Sequence, residues 1–167
     1  TGIIMDPETG EILAMATTPG FDNNHFGSTE PEFHRIKSIT DQFEPGSTFK
    51  VVSTVSALYD GLISLNDEFN CENGSFEYHT KKITDHESYS MLTASQIIHH
   101  SSNIGIIKIM DQVGRKRLFS MSRDFGFGSK TGINLNGEVS GKLNHFNDWS
   151  AVSLSLIHIS EPTRHRG

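Results

Sequence analysis

A serine and a lysine three positions apart are the residue pair in this chain best suited to covalent chemistry. Ser47 and Lys50 lie in the segment Glu44-Pro45-Gly46-Ser47-Thr48-Phe49-Lys50, and residues three apart share one face of a helix. A buried lysine loses its proton more easily, because desolvation favours the neutral amine. A neutral amine beside a serine can take the hydroxyl proton and make that serine a nucleophile.

A helix is predicted to hold this pair. Pro45-Gly46 ends the segment before it, Ser47 can open the helix as its cap or in its first turn, and Asp60-Gly61 supplies a stop. The apolar residues at helical spacing between these signals are Phe49, Val51, Val52, Val55, Leu58 and Tyr59. Because most of its faces are apolar, we expect the helix inside the domain. The positive potential and free N–H groups at its N-terminus would stabilise an oxyanion that forms there. The alternative for an isolated S-x-x-K match is a capping serine with a solvent-facing lysine.

The tripeptide Ser101-Ser102-Asn103 is a second polar group, and it lies between two predicted helices. The Ser101 hydroxyl could relay a proton between Lys50 and a leaving group. The Asn103 amide could hold Lys50 and a substrate backbone, because it carries both a donor and an acceptor. Serine or asparagine before an apolar helix is also ordinary capping, so the tripeptide by itself leaves both interpretations open.

Periodicity and turn residues predict the elements around these two motifs. Gly2–Met5 should be a short buried strand that pairs antiparallel with residues 11–16 across a turn containing Pro and Gly. Short strands are also compatible with Ser75–Tyr78 and Lys81–Thr84. Thr93 is a predicted helix cap. The predicted helices cover residues 94–98, 104–113 and 116–124, and a glycine-rich loop covers residues 129–142.

Composition excludes several classes of function. The chain has 167 residues and a net charge of −6, so it is one domain or a piece of one, without the basic stripe typical of nucleic-acid binding. Its nine histidines do not pair with Cys71 or with carboxylates at metal-ligand spacing, so we expect no metal and no cofactor. No apolar run is long enough to span a membrane.

Four segments of the chain match a known family in order and approximate spacing: residues 6–15 (DPETGEILAM), 44–50 (EPGSTFK), 101–105 (SSNIG) and 125–128 (FGFG). Together they resemble the transpeptidase domain of class B penicillin-binding proteins, most closely the cell-division (septal) type. The resemblance covers residues 1–153, the N-terminal part of that domain. It implies an α/β (α+β) fold of the penicillin-binding protein and serine β-lactamase type, in which an antiparallel sheet packs on helices, here truncated.

The resemblance also implies a function. It is that of a serine D,D-transpeptidase that cross-links peptidoglycan stem peptides ending in D-Ala-D-Ala and is acylated by β-lactams. Ser47 would be the nucleophile and Lys50 its general base, while Ser101 and Asn103 would supply the proton relay and substrate contacts. The protein would work with cell-division proteins on the periplasmic, extracytoplasmic side of the cell membrane, held by an anchor before Thr1.

Lys130-Thr131-Gly132 spells the third signature of the family, but we interpret it as a decoy. In the family, that signature lies on an edge strand along which the ligand adds. It also comes much farther downstream than the 27 positions that separate Lys130 from Asn103. The neighbours of the triplet are rich in glycine and asparagine and would make a poor strand. We therefore expect the true third motif outside this chain.

Residues 154–167 (LSLIHISEPTRHRG) resemble the in-frame translation of a transposon-end sequencing adapter. We exclude them from fold reasoning as a non-native tail, against the alternative of a native strand over residues 152–159. Residues 1–153 are then expected to be a partial transpeptidase domain. Such a fragment should be inactive, or nearly so, by itself, although its gene encodes an enzyme.

Two other functions stay open. One is a non-turnover β-lactam-binding sensor or degenerate paralogue, and the other is a hydrolase, either a serine β-lactamase or a carboxypeptidase. Residues 6–15 and the segment that begins at Phe125 favour the transpeptidase, and nothing identifies the deacylating base that a β-lactamase needs. Slow hydrolysis of a bound β-lactam would support the transpeptidase or the sensor, and fast hydrolysis the hydrolase.

Overall fold

The computed structural model describes residues 1–149, which divide into two units. Residues 1–42 and 130–140 form one unit, called here the hairpin unit. Residues 43–129 and 141–149 belong to the other, called the helical unit. The proposed tail, residues 154–167, lies outside the described residues, as does the alternative strand over residues 152–159.

The hairpin unit begins with the predicted antiparallel hairpin. Strand β1 (Gly2–Met5) pairs with strand β2 (Ile12–Ala16), and Gly2 lies opposite Ala16. Gly10 in the connecting turn has a φ of 76°, a left-handed conformation that glycine adopts without strain. The segments that follow are two 3₁₀ turns, Asn23–Ser28 and Pro31–His34, and one short helix, α1 (Lys37–Thr40).

The prediction that β1 is a buried strand is wrong. Ile4 on β1 is 62 % exposed and Leu13 on β2 is 61 % exposed. Within residues 1–149 the hairpin is a sheet of two strands only, and such a ribbon has no neighbouring strand to widen it. Apolar composition therefore predicted the strands correctly but not their exposure.

The helical unit contains the segment with Ser47 and Lys50, two small sheets and three further helices. A 3₁₀ turn, Gly46–Phe49, runs directly into helix α2 (Lys50–Tyr59), and Gly61 follows the end of α2 with a φ of 66°. Strand β3 pairs with β6 and strand β4 with β5, both antiparallel. The remaining elements are β3 (Glu68–Asn70), β4 (Ser75–Tyr78), β5 (Lys81–Thr84), β6 (Met91–Thr93), α3 (Ala94–His99), α4 (Asn103–Val113) and α5 (Arg115–Asp124).

Most elements of the helical unit agree with the sequence prediction. Strands β4 and β5 have the predicted limits, and helices α3, α4 and α5 differ from their predicted ranges only at the ends. The sheet formed by β3 and β6 was not predicted, because strands of three residues are too short to show an alternating pattern.

Helix α2 is largely buried, but its inward face is not the one that its apolar residues predict. Val51 is 47 % exposed and Tyr59 is 77 % exposed, whereas Ser53 and Ser56 are fully buried. Helix α2 packs mainly against α4 and α5. Small side chains at a contact between helices let the two axes approach closely, so the inward face carries serines.

The joint between α3 and α4 is tightly built. Thr93 and Gln96 form a reciprocal capping box at the start of α3, which confirms the predicted cap. Gly105, in the first turn of α4, lies so close to Ile97 of α3 that an added Cβ would be 2.5 Å from Ile97 Cγ1. Ile97 is fully buried and branched at Cβ, so it cannot easily turn away.

We therefore predict that Gly105→Ala destabilises the protein despite the higher helix propensity of alanine. Overpacking of this kind costs about 1–3 kcal/mol, against a propensity gain of up to about 1 kcal/mol. Chemical denaturation of the single variants and of the double variant with Ile97→Ala measures the coupling between the two sites. The loss should largely disappear in the Ile97→Ala background, and additive effects would contradict the predicted clash.

Candidate active site

Lys50 is the centre of the candidate site. It begins helix α2, and its side chain is buried, with the residue only 4 % exposed. Its Nζ donates to the main-chain oxygen of Ser101 at 2.5 Å, to Ser101 Oγ at 3.0 Å and to Asn103 Oδ1 at 2.8 Å. The structure thus brings together three of the four predicted site residues, and it excludes the alternative of a solvent-facing lysine.

Ser47, the fourth predicted residue, lies on the turn that leads into Lys50. Pro45 occupies the cap position of this 3₁₀ turn, and Ser47 lies inside the turn, so it is a first-turn residue and not the cap. Side chains at i and i+3 of a 3₁₀ turn lie above one another, so Ser47 and Lys50 lie on the same face of the chain. Ser47 is exposed, and its hydroxyl makes no hydrogen bond to any residue in the range 1–149.

The second motif divides capping and lysine binding between different residues. Ser102 is the cap of α4, and its Oγ accepts a hydrogen bond from the Gly105 N–H at 2.9 Å. Ser101 has a φ of 55°, a left-handed conformation that is unusual for serine. Ser102 therefore caps the helix, as the capping interpretation predicts, while Ser101 and Asn103 contact Lys50. Their roles as relay and substrate contacts stay predictions.

Burial changes the protonation of Lys50. Desolvation lowers the pKa of this amine below the ordinary lysine value, and the negative charge of Asp85 acts in the opposite direction. A neutral amine keeps two hydrogens, and the Ser101 carbonyl and Asn103 Oδ1 can only accept them. Its lone pair would then face Ser101 Oγ, whose hydroxyl can donate. The arrangement can therefore pass a proton between Lys50 and Ser101.

Asp85 is the residue that sequence reasoning missed. It follows strand β5, and its carboxylate accepts hydrogen bonds from Ser102 Oγ at 2.6 Å and from the N–H groups of Asn103 and Ile104 at 2.5 and 3.1 Å. The preceding residue contributes as well, since the Thr84 carbonyl accepts from Asn103 Nδ2 at 2.9 Å. No local spacing could have indicated Asp85, because the strand end and the helix start meet only in the folded chain.

The triplet Lys130-Thr131-Gly132 lies in a loop of the hairpin unit, with no strand over residues 129–142. The Thr131 N–H and hydroxyl donate to Glu138 Oε1 at 2.6 and 2.7 Å, and the Gly132 N–H donates to Glu138 Oε2 at 3.2 Å. These bonds, chiefly those from Thr131, lower the pKa of the Glu138 carboxyl. The prediction of a poor strand is confirmed, while the decoy role stays an interpretation.

Across residues 1–149, no cluster of three or more His, Cys, Asp and Glu side chains is placed to bind a metal ion. No helix in the same range has the length and apolar character needed to cross a membrane.

We predict that Lys50 titrates at a lower pH in the folded protein than in the unfolded chain. Between the two pKa values the folded state binds fewer protons, so the contribution of Lys50 to the free energy of unfolding rises with pH across that interval. NMR of protein with ¹³C-labelled lysine, assigned with a Lys50→Met variant, measures the titration. The same residue in concentrated urea is the control, and an equal or higher folded value would contradict the burial argument.

Comparison with known proteins places this geometry in a family. The sequence model of the family described as penicillin binding protein transpeptidase domain matches residues 1–160. The peptidoglycan D,D-transpeptidase FtsI of Escherichia coli K12 is 34 % identical over 152 residues, which are 91 % of this chain and 26 % of that protein. The stage V sporulation protein D of Bacillus subtilis is 32 % identical over 144 residues, 84 % of this chain and 22 % of the relative. The chain thus spans about a quarter of the length of these relatives.

Solved structures agree. The transpeptidase domain of Burkholderia pseudomallei penicillin-binding protein 3, in its apo form, superposes with a TM-score of 0.71 at 28 % identity, over 75 % of this chain and 38 % of that one. A peptidoglycan glycosyltransferase from Burkholderia ambifaria superposes with a TM-score of 0.80 at 27 % identity, over 94 % of this chain and 46 % of that one. The predicted α+β class is therefore confirmed, and the chain belongs to the penicillin-binding protein transpeptidase family, as its four sequence segments indicated.

Proposed function

We propose that the protein carrying this chain is a serine D,D-transpeptidase that cross-links peptidoglycan stem peptides and is acylated by β-lactams. The observation that supports this most strongly is the set of three hydrogen bonds from the buried Lys50 amine to Ser101 and Asn103. Relatives named peptidoglycan D,D-transpeptidase support the same reaction class.

The first half of the reaction is acylation. The hydroxyl proton of Ser47 passes to the neutral Lys50 amine, directly or through Ser101 Oγ, and Ser47 Oγ attacks the carbonyl carbon between the two terminal D-Ala residues of a stem peptide. N–H groups in the first turn of a helix have no partner within the helix, so the Ser47 N–H can stabilise the oxyanion. The C–N bond then breaks, the proton goes to the departing amine, and D-Ala leaves.

The second half transfers the acyl group. The amine of a second stem peptide attacks the acyl carbon, and its proton passes through Lys50 and Ser101 back to Ser47 Oγ as the ester bond breaks. A β-lactam follows the first half only, because its opened ring keeps the leaving amine attached. On this proposal Ser47 is the nucleophile, Lys50 the general base, and Ser101 and Asn103 the relay and substrate contacts.

The setting proposed for this reaction follows the family resemblance. The protein would act at the cell membrane, on the extracytoplasmic side, together with cell-division proteins. Two rates distinguish this proposal from a sensor that is acylated without turnover and from a serine hydrolase: the rate of cross-link formation and the rate at which the bound β-lactam is hydrolysed. A transpeptidase forms cross-linked product and hydrolyses the bound β-lactam slowly, a sensor forms no product, and a β-lactamase hydrolyses it fast.

We predict that Ser47→Ala abolishes covalent labelling by a fluorescent penicillin in the protein expressed from its full gene. The variant should fold normally, because Ser47 is exposed and its hydroxyl makes no hydrogen bond within residues 1–149. Gel fluorescence measures the label and thermal unfolding checks the fold. Ser95→Ala, an exposed serine on α3, is the matched control and should label like the unaltered protein.

A companion variant, Lys130→Ala, tests the third-motif interpretation in the same assay. Since its triplet is a loop bound by Glu138, labelling should keep its rate. Surviving label in Ser47→Ala would remove Ser47 as the nucleophile, and loss of label in a folded Lys130→Ala protein would make the triplet a working third motif.

A further inference from the structure

The carboxylate of Asp85 lies at the N-terminus of α4, the helix that begins with Asn103. It accepts from the N–H groups of Asn103 and Ile104, two donors that the helix itself cannot pair. Ser102 Oγ does not serve these donors, because it accepts from Gly105 and donates to Asp85. A carboxylate at this end of an eleven-residue helix is also stabilised by the helix dipole.

The three donors to Asp85 lie within or beside the residues that bind Lys50. Asn103 carries both a main-chain N–H bonded to Asp85 and the Oδ1 bonded to Lys50. Ser102 lies between Asn103 and Ser101, whose carbonyl and hydroxyl face the amine. Fixing these donors therefore fixes the direction in which Ser101 and Asn103 present their three acceptors to Lys50.

Asp85 itself is held by the hairpin formed by β4 and β5. Its N–H donates to the Gly74 carbonyl at 3.2 Å. The Tyr78 hydroxyl on β4 donates to Asp111 on α4. Lys108 of α4 forms an ion pair with Glu72 at 2.6 Å, just before the same hairpin. The hairpin is thus attached to α4 at several points, so Asp85 is aimed at the start of that helix.

The charge of Asp85 reaches Lys50 as well. Burial lowers the pKa of Lys50 and the field of Asp85 raises it. The elements packed against α2 also carry charged or titratable side chains: Lys108 and Asp111 on α4, Arg115, Lys116, Arg117, Arg123 and Asp124 on α5, and His99 on α3. Among residues 1–149, Asp85 is the charged group that raises the pKa of Lys50.

We propose that Asp85 is a positioning residue of the proposed active site: it fixes the turn that presents Ser101 and Asn103 to Lys50, and its charge stabilises the Lys50 ammonium. This inference rests on the proposed function for its catalytic consequence. Asp85 touches no reacting atom. Through Lys50 it sets the pH at which the neutral amine becomes available.

The test compares two Asp85 variants in the protein expressed from its full gene. Asp85→Asn keeps the shape of the side chain and one acceptor oxygen, replaces the other oxygen with an NH2 donor and removes the charge, whereas Asp85→Glu keeps the charge and displaces it. The second-order rate of acylation by benzylpenicillin is measured across pH. Asp124→Asn, the same change at an exposed aspartate that ends α5, is the matched control.

We predict that Asp85→Asn moves the acidic limb of the profile to lower pH, because a negative charge that favours the ammonium is lost. The direction follows because removing a negative charge favours the neutral amine. Asp85→Glu should keep the position of that limb but lower the maximum rate by about ten- to a hundredfold, as misplaced catalytic groups do. Asp124→Asn should change neither quantity.

An acidic limb that stays in place in Asp85→Asn would overturn the proposed role of the charge, and an unchanged maximum rate in Asp85→Glu would overturn the positioning role. The Lys50 titration by NMR in the unacylated Asp85→Asn protein supplies a readout that does not need activity, and it too should fall. Absence of Ser47-dependent labelling in the unaltered protein would instead be a failure of the proposed function. If Asp85→Asn does not fold, Asp85→Glu still tests the positioning role.

Discussion

One buried amine, that of Lys50, links three helices of the helical unit. A lysine head group removed from water is unfavourable unless its donors find acceptors, and Lys50 finds them in the main-chain oxygen and hydroxyl of Ser101 and in the amide of Asn103. These acceptors come from the joint between α3 and α4, while Lys50 comes from α2. The site therefore exists only when the three helices pack in their observed arrangement.

That requirement gives a physical reason for several unusual residues. The inward face of α2 carries Ser53 and Ser56, which take up little space against neighbouring helices. Gly105 leaves room for Ile97, so that the end of α3 and the start of α4 lie close together. Ser101 adopts a left-handed backbone that directs its carbonyl toward Lys50. Each feature weakens a local preference, and together they hold the acceptors where the amine is.

Local signals in the sequence were sufficient for the helices, the main hairpins and the two motifs. The Pro45-Gly46 break, the Thr93 cap and the Asp60-Gly61 stop act on neighbouring residues, so they can be read without knowledge of the fold. Asp85 gave no such signal, because it caps a helix that starts far along the chain. The exposure of β1 and β2 could not be predicted from the sequence either, because an apolar pattern indicates which residues form a strand but not which residues cover that strand.

The chain spans about a quarter of the length of its penicillin-binding protein relatives, so the proposed reaction calls for a direct measurement on the full-length protein. The sharpest one is peptide mapping by mass spectrometry after the full-length protein has reacted with benzylpenicillin. Trypsin should release residues 38–50 as one peptide, which contains Ser47. We expect the penicilloyl adduct on Ser47 in that peptide, and an adduct on any other residue would contradict the role of Ser47 as nucleophile.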